Sequence, residues 1–166
     1  MCFAISSMHP RAAELIHKLT LRPHPEGGHF AEVFKSPHLV HRLKGDDSRP
    51  AVTTIYFLLA QGERSRWHQV ASDEVWHYYE GDPLELVWEE QVEIRRVQLG
   101  SVAMGREPVA IVPAGSWQAA RTQGAYTLVG CTVAPGFEFR DFVLLSDVPA
   151  EAARVRALYP DLADLF

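Results

Sequence analysis

The sequence has little cysteine, and its two cysteines are Cys2, near the first residue, and Cys131, inside an apolar segment. Two distant cysteines provide neither a disulfide framework nor the close spacing of a metal-binding motif. We therefore expect a cytoplasmic protein in which Cys131 is a small core residue.

Positive charge is also scarce, because 16 Lys and Arg stand against 21 Asp and Glu, a formal net charge of −5. Proteins that bind nucleic acids need an excess of positive charge at their surface, so no nucleic-acid partner is expected.

Long apolar runs are missing as well. The longest, residues 51–60, is stopped by Gln61 and Glu63, well short of the roughly 20 residues of a membrane-spanning helix. The first ten residues lack the cationic flank and apolar stretch of a secretion signal. No membrane partner is expected.

What the sequence does have is an ordinary globular composition, 47% hydrophobic and 22% charged, over 166 residues. That length suits one domain with a sizeable core, and no repeat, linker or low-complexity tract divides it. We expect residues 1–166 to form a single domain.

Turn residues separate many short runs rich in β-branched and aromatic residues. Strands are predicted at residues 29–35, 51–60, 66–70, 74–80, 84–88, 92–99, 109–112, 116–121, 126–133 and 138–145. Residues 36–50 show neither the strand nor the helix period and are predicted to form a mobile surface loop. Short strands at this spacing favour an all-β sandwich or barrel over a parallel βαβ sheet.

Two short helices are predicted at the ends of the chain. Apolar residues recur at helical spacing in residues 10–21, with Ser7 as a possible cap. The second helix covers residues 150–158, with Ser146 or Asp147 as its cap and Pro160 as its stop.

Residues 62–81 hold the first candidates for a functional site. His68 precedes Glu74 by six residues, and strand alternation places Glu74, Trp76 and Tyr78 on one face. His77 lies on the opposite face, and the sequence favours neither an outward position nor a role in the pocket over the other.

The same segment matches a known signature. Gly62, His68, Glu74 and Gly81 have the spacing of the first motif of the cupin superfamily, with Val70 where metal-binding members carry a second histidine. The second motif resembles VPAGSWQAART, with Gln118 in place of a histidine ligand and Thr122 in place of the usual asparagine.

Four segments, LRPHPEGGHFAE, SDEVWHYYEGDPLEL, VPAGSWQAAR and LVGCTVAPGFEFRDF, resemble the cupin-five family, a domain of unknown function. The resemblance spans residues 15–145 and implies a double-stranded β-helix, the cupin or jelly-roll barrel, often dimeric, with a pocket at its wider mouth. We expect a homodimer, because the apolar outer face of residues 51–60 needs cover from a terminal segment or a second subunit.

The resemblance also suggests a metal site of His68, Glu74 and Gln118. One imidazole, one carboxylate and one neutral amide make a poor ligand set for a divalent transition metal, so a metal cofactor is possible but disfavoured.

Acid–base chemistry is the alternative use of these residues. The sequence is similar to the metal-independent dTDP-sugar 3,5-epimerases, in which a histidine base works with a tyrosine acid. That similarity implies catalysis by His68, Glu74 and Tyr78, with Tyr56 and Tyr126 as other candidates for the acid.

Other residues are candidates for contacts with the ligand. Trp76 can stack on a sugar ring, Arg121 can bind an anionic group, and Glu26 and His29 lie in a loop next to a strand. With His77 and Gln118, they complete the expected set.

The sequence thus predicts a cupin that binds a small molecule, a sugar or other carbonyl metabolite, and acts on it as a metal-independent isomerase or epimerase. A metabolite-binding protein without catalysis and a weakly metal-dependent enzyme remain as alternatives.

Overall fold

A computed structural model describes residues 8–41 and 48–166 of the chain. Two α-helices lie at Pro10–Lys18 (α1) and Pro149–Leu158 (α2). The strands are β1 (Arg22–Pro23), β2 (His29–Lys35), β3 (Leu39–His41), β4 (Ser48–Pro50), β5 (Thr53–Ala60), β6 (Arg64–Val70), β7 (Asp73–Gly81), β8 (Leu84–Glu90), β9 (Glu93–Leu99), β10 (Val109–Val112), β11 (Trp117–Thr122), β12 (Tyr126–Ala134) and β13 (Phe142–Leu144).

The strands form two main antiparallel sheets that face each other. One sheet has six strands in the order β1-β2-β5-β12-β7-β10, and the other has five in the order β13-β6-β11-β8-β9. Strands β3 and β4 pair separately. Alternate residues of both sheets point inward, so Phe57 and Trp76 of the first sheet pack with Leu86 and Ala120 of the second.

The outer face of the six-stranded sheet is covered in part by α1. Ala12 and Leu15 of the helix pack on Leu58 and Ala60 of β5 and on Leu128 of β12. The apolar run of β5 is therefore buried on both faces, as its lack of alternation predicted. A terminal segment, one of the two expected alternatives, provides this cover.

The outer face of the five-stranded sheet is covered by the C-terminal segment. Val155 of α2, with Leu162 and Leu165 from the 3₁₀ segment Pro160–Leu165, packs against Trp67 of β6 and Trp117 of β11. The strand that carries His68 is thereby fixed from behind.

The helices differ from the prediction at their ends. Helix α1 stops at Lys18, because Thr20 adopts a left-handed φ of 54° and Leu21 N–H donates to Ile16 O. Ser7 lies outside the described residues, and His9 is the N-cap, its Nδ1 accepting from Arg11 N–H. At α2 the predicted caps are wrong, because Val148 is the N-cap and makes no side-chain capping bond.

One loop prediction and two strand predictions also need correction. Part of the predicted loop 36–50 is the β3–β4 pair, and residues 42–47 lie outside the described part of the chain. Val92 belongs to a turn, since Gln91 and Val92 have φ of 51° and 68°. The predicted strand 138–145 is reduced to β13, with 3₁₀ turns at Phe139–Asp141 and Leu145–Asp147.

No helix within residues 8–41 and 48–166 is long and apolar enough to cross a membrane.

Candidate functional site

The loop between β1 and β2 carries Glu26 into the space between the two sheets. Gly27 and Gly28 have φ of 115° and 67°, and a Cβ atom on Gly27 would lie 2.0 Å from Arg64 O. Only glycine allows this close approach to β6. Arg66 N–H donates to Glu26 O at 3.0 Å, which holds the loop and leaves the carboxyl group facing inward.

Glu26 and His68 are in contact inside the barrel. Glu26 Oε2 lies 3.4 Å from His68 Nε2, and Glu26 Oε1 accepts from Ser65 Oγ at 2.7 Å. His68 Nδ1 lies 2.8 Å from Arg66 O. Because a carbonyl oxygen only accepts, Nδ1 carries the proton, and Nε2 of the neutral ring is free to accept one from Glu26.

Glu74 reaches the same space from β7, on the opposite sheet from His68. Its Oε2 accepts from Gln118 Nε2 at 2.6 Å, and Gln118 Oε1 accepts from the indole of Trp76 at 3.1 Å. The indole only donates, so it fixes which end of the amide faces Glu74.

Burial shifts the pKa values of this cluster. It raises the pKa of Glu26 to about 8 and the pKa of Glu74 to about 7, in the second case against the opposing charge of His68. It lowers the pKa of His68, although the charge of Glu74 acts to raise it. Desolvation disfavours every charged form. Near neutral pH Glu26 therefore holds its proton, whereas Glu74 is present both as the acid and as the carboxylate.

His24 is the second imidazole of the site. Its Nδ1 accepts from Glu26 N–H at 3.3 Å and lies 3.5 Å from Glu26 Oε2. Burial lowers its pKa to about 4, with smaller effects from His68 and Arg22. The ring is thus neutral near pH 7, and Nε2 carries its proton.

These groups lie at the closed end of a cavity of about 140 Å³. The cavity opens towards the exposed residues Arg22, Glu32 and Phe139 and ends at the buried His68 and Glu74. Its walls are aromatic and aliphatic: Phe30, Ile55, Phe57, Val70, Val133, Phe137 and Phe142. An apolar cavity with a few convergent polar groups is the usual form of a small-molecule site, and this one is small.

The structure brings together only part of the expected site. His68, Glu74 and Glu26 line the cavity, whereas Gln118 and Trp76 lie behind Glu74 and support it.

Tyr78, His77 and Arg121 do not line the cavity. Tyr78 shares the inner face of β7, but its hydroxyl donates to Gly81 O at 2.6 Å. His77 lies on the outer face, opposite Val109 of β10. Arg121 forms ion pairs with Glu85 and Asp164. Its guanidinium group is therefore used in the structure and not in ligand binding at this cavity.

The residues do not fit a metal site. Within residues 8–41 and 48–166, no group of three or more His, Cys, Asp and Glu side chains is placed to hold a metal ion. The oxygen of Gln118 is engaged by Trp76, so the amide presents N–H groups, which are not ligands, towards Glu74.

Sequence reasoning missed His24, Arg22 and the phenylalanine walls. Phe137, Phe139 and Phe142 do not share one strand: Phe137 lies in an irregular segment, Phe139 begins a 3₁₀ turn and Phe142 begins β13. His24 stands two residues before Glu26, next to the glycines that turn the loop inward. Its position next to Glu26 and the two glycines was the sequence feature that could have indicated a place in the site.

Comparison with known proteins identifies the family. The model of a family described as Cupin superfamily (DUF985), Cupin_5, matches residues 13–145. A hypothetical protein from Leishmania major is 36% identical, with a TM-score of 0.78, over 90% of this chain and 93% of that one. A protein from Shewanella oneidensis is 32% identical, with a TM-score of 0.75, over 88% and 92%.

A more distant structure shows the fold alone. A cupin 2 conserved barrel domain protein from Rhodopseudomonas palustris is 15% identical, with a TM-score of 0.50, over 82% of this chain and 81% of that one. No curated protein matches the chain significantly. The predicted double-stranded β-helix is confirmed.

Proposed function

The chain belongs to the Cupin_5 family of the cupin superfamily, and from its cavity we propose that it binds a small carbonyl metabolite, such as a sugar, and isomerises or epimerises it without a metal. The similarity to dTDP-sugar 3,5-epimerases suggested by the sequence motifs favours this type of reaction.

One observation carries the proposal: two buried carboxyl groups, with pKa values of about 8 and about 7, flank His68 at the closed end of an apolar cavity. Carboxyl groups whose pKa values are raised towards neutrality by burial can act as an acid or a base near neutral pH. Such shifts cluster at functional sites.

In this mechanism Glu74 is the base. As a carboxylate it takes the proton from the carbon next to the substrate carbonyl. The electron pair of that C–H bond forms a C=C bond, and the carbonyl π pair moves to oxygen. Hydrogen bonding by Gln118 N–H keeps the carboxylate in position.

The Glu26–His68 pair is the acid. It delivers one proton to the carbonyl oxygen, and the neutral His24 can donate a hydrogen bond to the same oxygen. To form the epimer, the enol oxygen returns its proton to the site, the C=O bond is restored, and the carbon that lost its proton takes one on the other face. To form the isomer of an α-hydroxy carbonyl compound, that oxygen keeps its proton, the hydroxyl on the neighbouring carbon of the enediol gives its proton to the site and becomes the new carbonyl, and the former carbonyl carbon takes a proton.

The two sheets make this geometry possible, because His68 comes from β6 and Glu74 from β7. A substrate carbon between the sheets has an ionisable group on each side. The acid expected from the sequence, Tyr78, has its hydroxyl on Gly81 O and no place in this mechanism.

Proton exchange tests the proposal. The protein is incubated in D₂O with a panel of aldoses, ketoses and hydroxyketones, and loss of the signal of the C–H next to the carbonyl is followed by proton NMR. We expect exchange with at least one compound, about 100-fold slower in His68→Asn and Glu74→Gln, and unchanged after metal chelation.

His17→Asn and Glu93→Gln are matched controls, because both residues are exposed and neither lines the cavity. They should exchange like the wild type. Full exchange in His68→Asn, or exchange that requires an added metal, would overturn the proposal.

Binding without chemistry is the second candidate, and the aromatic walls of the cavity favour it. A ligand of the native state raises the unfolding temperature as its concentration exceeds its Kd. A compound that stabilises the protein against heat, with no exchange in D₂O, would support this candidate over the enzyme.

A further inference from the structure

We propose that the ligand of this cavity carries an anionic group, a carboxylate or a phosphate, and that Arg22 binds it at the mouth. The proposal extends the proposed function by naming a substrate class, small carbonyl compounds with an acidic group. It rests on the proposed function only for the carbonyl, since anion binding can be measured without turnover.

Arg22 lies on the edge strand β1 and lines the cavity. Its guanidinium carbon is 4.9 Å from the centre of the Phe30 ring. Stacking on an aromatic ring holds the guanidinium plane, and the N–H groups at its edge remain available to a planar oxyanion. Bidentate binding of carboxylate or phosphate is the characteristic use of such a group.

Arg22 is also a cation without a carboxylate. Within residues 8–41 and 48–166, it has neither an ion pair nor a hydrogen bond. Other arginines of this part of the chain are neutralised: Arg121 pairs with Glu85 and Asp164, and Arg154 pairs with Glu89 and Glu151. The arginine that lines the cavity is thus free to neutralise a ligand.

The remaining charges at the cavity fit one anion. Glu32 lines the mouth with Arg22 but forms no ion pair with it. The mouth therefore has no general positive field, and an anion gains from direct contact with Arg22. Deeper in the cavity, burial keeps the proton on Glu26 below about pH 8 and on Glu74 below about pH 7, so neither carboxyl group repels the ligand below about pH 7.

Removal of Arg22 should therefore have a large effect. In Arg22→Gln the only charge left at the mouth among the described lining residues is Glu32, which repels anions. Arg22→Lys keeps the charge but loses the planar pair of donors, so an intermediate affinity is expected.

The control variant is Arg156→Gln. Arg156 also stacks on a phenylalanine, with its guanidinium carbon 4.2 Å from the centre of Phe166, but it is exposed and does not line the cavity. Its substitution removes the same charge and the same kind of ring contact. Thermal unfolding without ligand checks that each variant is folded.

The test is titration at constant ionic strength with pyruvate and inorganic phosphate, and with hydroxyacetone as the neutral analogue of pyruvate, followed by saturation-transfer NMR and thermal shift. We expect saturable binding of pyruvate, phosphate or both to the wild type and to Arg156→Gln, and at least tenfold weaker binding to Arg22→Gln. Hydroxyacetone should bind more weakly than pyruvate.

Equal anion affinity in Arg22→Gln, hydroxyacetone binding as tight as pyruvate, or no saturable binding of either anion would overturn the inference. These outcomes are separable from failure of the proposed function. Proton exchange on neutral compounds only would support the proposed isomerase and contradict the anion site. Anion binding that depends on Arg22, without any exchange, would do the reverse.

Discussion

At the scale of single residues, the charge state of the site depends on the coupling between His68 and Glu74. Burial lowers the pKa of His68, and the charge of Glu74 opposes that shift. The sequence could predict that the two residues face a common space, because their spacing matches a known motif. It could not predict the contact between His68 and Glu26, which come from segments about 40 residues apart.

We predict that the pKa of His68 falls in Glu74→Gln, because the substitution removes the negative charge that favours the imidazolium. Burial is the same in both proteins, so the difference between them isolates the effect of the carboxylate. NMR titration of the histidine ring signals measures it, with His68→Asn used to assign the resonance.

Glu93→Gln, on the exposed side of β9, is the control and should leave the titration unchanged. If His68 titrates identically in the wild type and in Glu74→Gln, the two residues are not coupled, and the acid–base proposal loses its main support.

At the scale of secondary-structure elements, strands with a clear pattern were predictable and the connections were not. The bounds of β2 and β10 agree with the prediction, since both stretches are delimited by turn residues. The strand predicted before β13 was wrong, because Asp141 of the 3₁₀ turn and Glu138, the residue that precedes the turn, pair with Arg49 of β4. No local pattern reveals that contact.

Helix α1 shows how a surface element protects the barrel. We predict that Leu15→Ala lowers the free energy of unfolding by about 2 kcal/mol or more, because Leu15 is 4% exposed and packs on β5 and β12. Chemical denaturation measures the change.

Leu158→Ala is the matched control, since Leu158 is 50% exposed at the end of α2. It should change the free energy by less than about 0.5 kcal/mol. Equal effects of the two variants would contradict the packing of α1 on the sheet.

At the scale of the whole molecule, the fold was predictable because two separate motifs agreed in one chain. How much of the outer apolar face of the six-stranded sheet is covered could not be predicted. Helix α1 covers Leu58 and Ala60, but Tyr79, Val109 and Ile111 of the same sheet remain 49%, 42% and 58% exposed. Apolar side chains in such a group are typical of a protein interface.

We therefore propose that two copies associate through this outer face, and we predict a homodimer of about twice 18.6 kDa. Light scattering at micromolar concentration measures the mass. Ile111→Asp should give a monomer, because the interface would bury an unpaired charge.

Val102→Asp serves as the control, since Val102 is 69% exposed in a 3₁₀ turn outside the two main sheets. A wild-type protein that remains a monomer, or a dimer that persists in Ile111→Asp, would contradict this assembly.

The hydrogen bonds from Trp76 through Gln118 to Glu74 connect a fluorophore to the proposed base. Loss of the Glu74 charge, by protonation or by contact with a ligand, changes the field along this chain and the strength of the bond to the indole. We therefore expect the emission of Trp76, one of four tryptophans in the chain, to change when Glu74 is protonated or contacts a ligand, so that intrinsic fluorescence can follow this site without a dye.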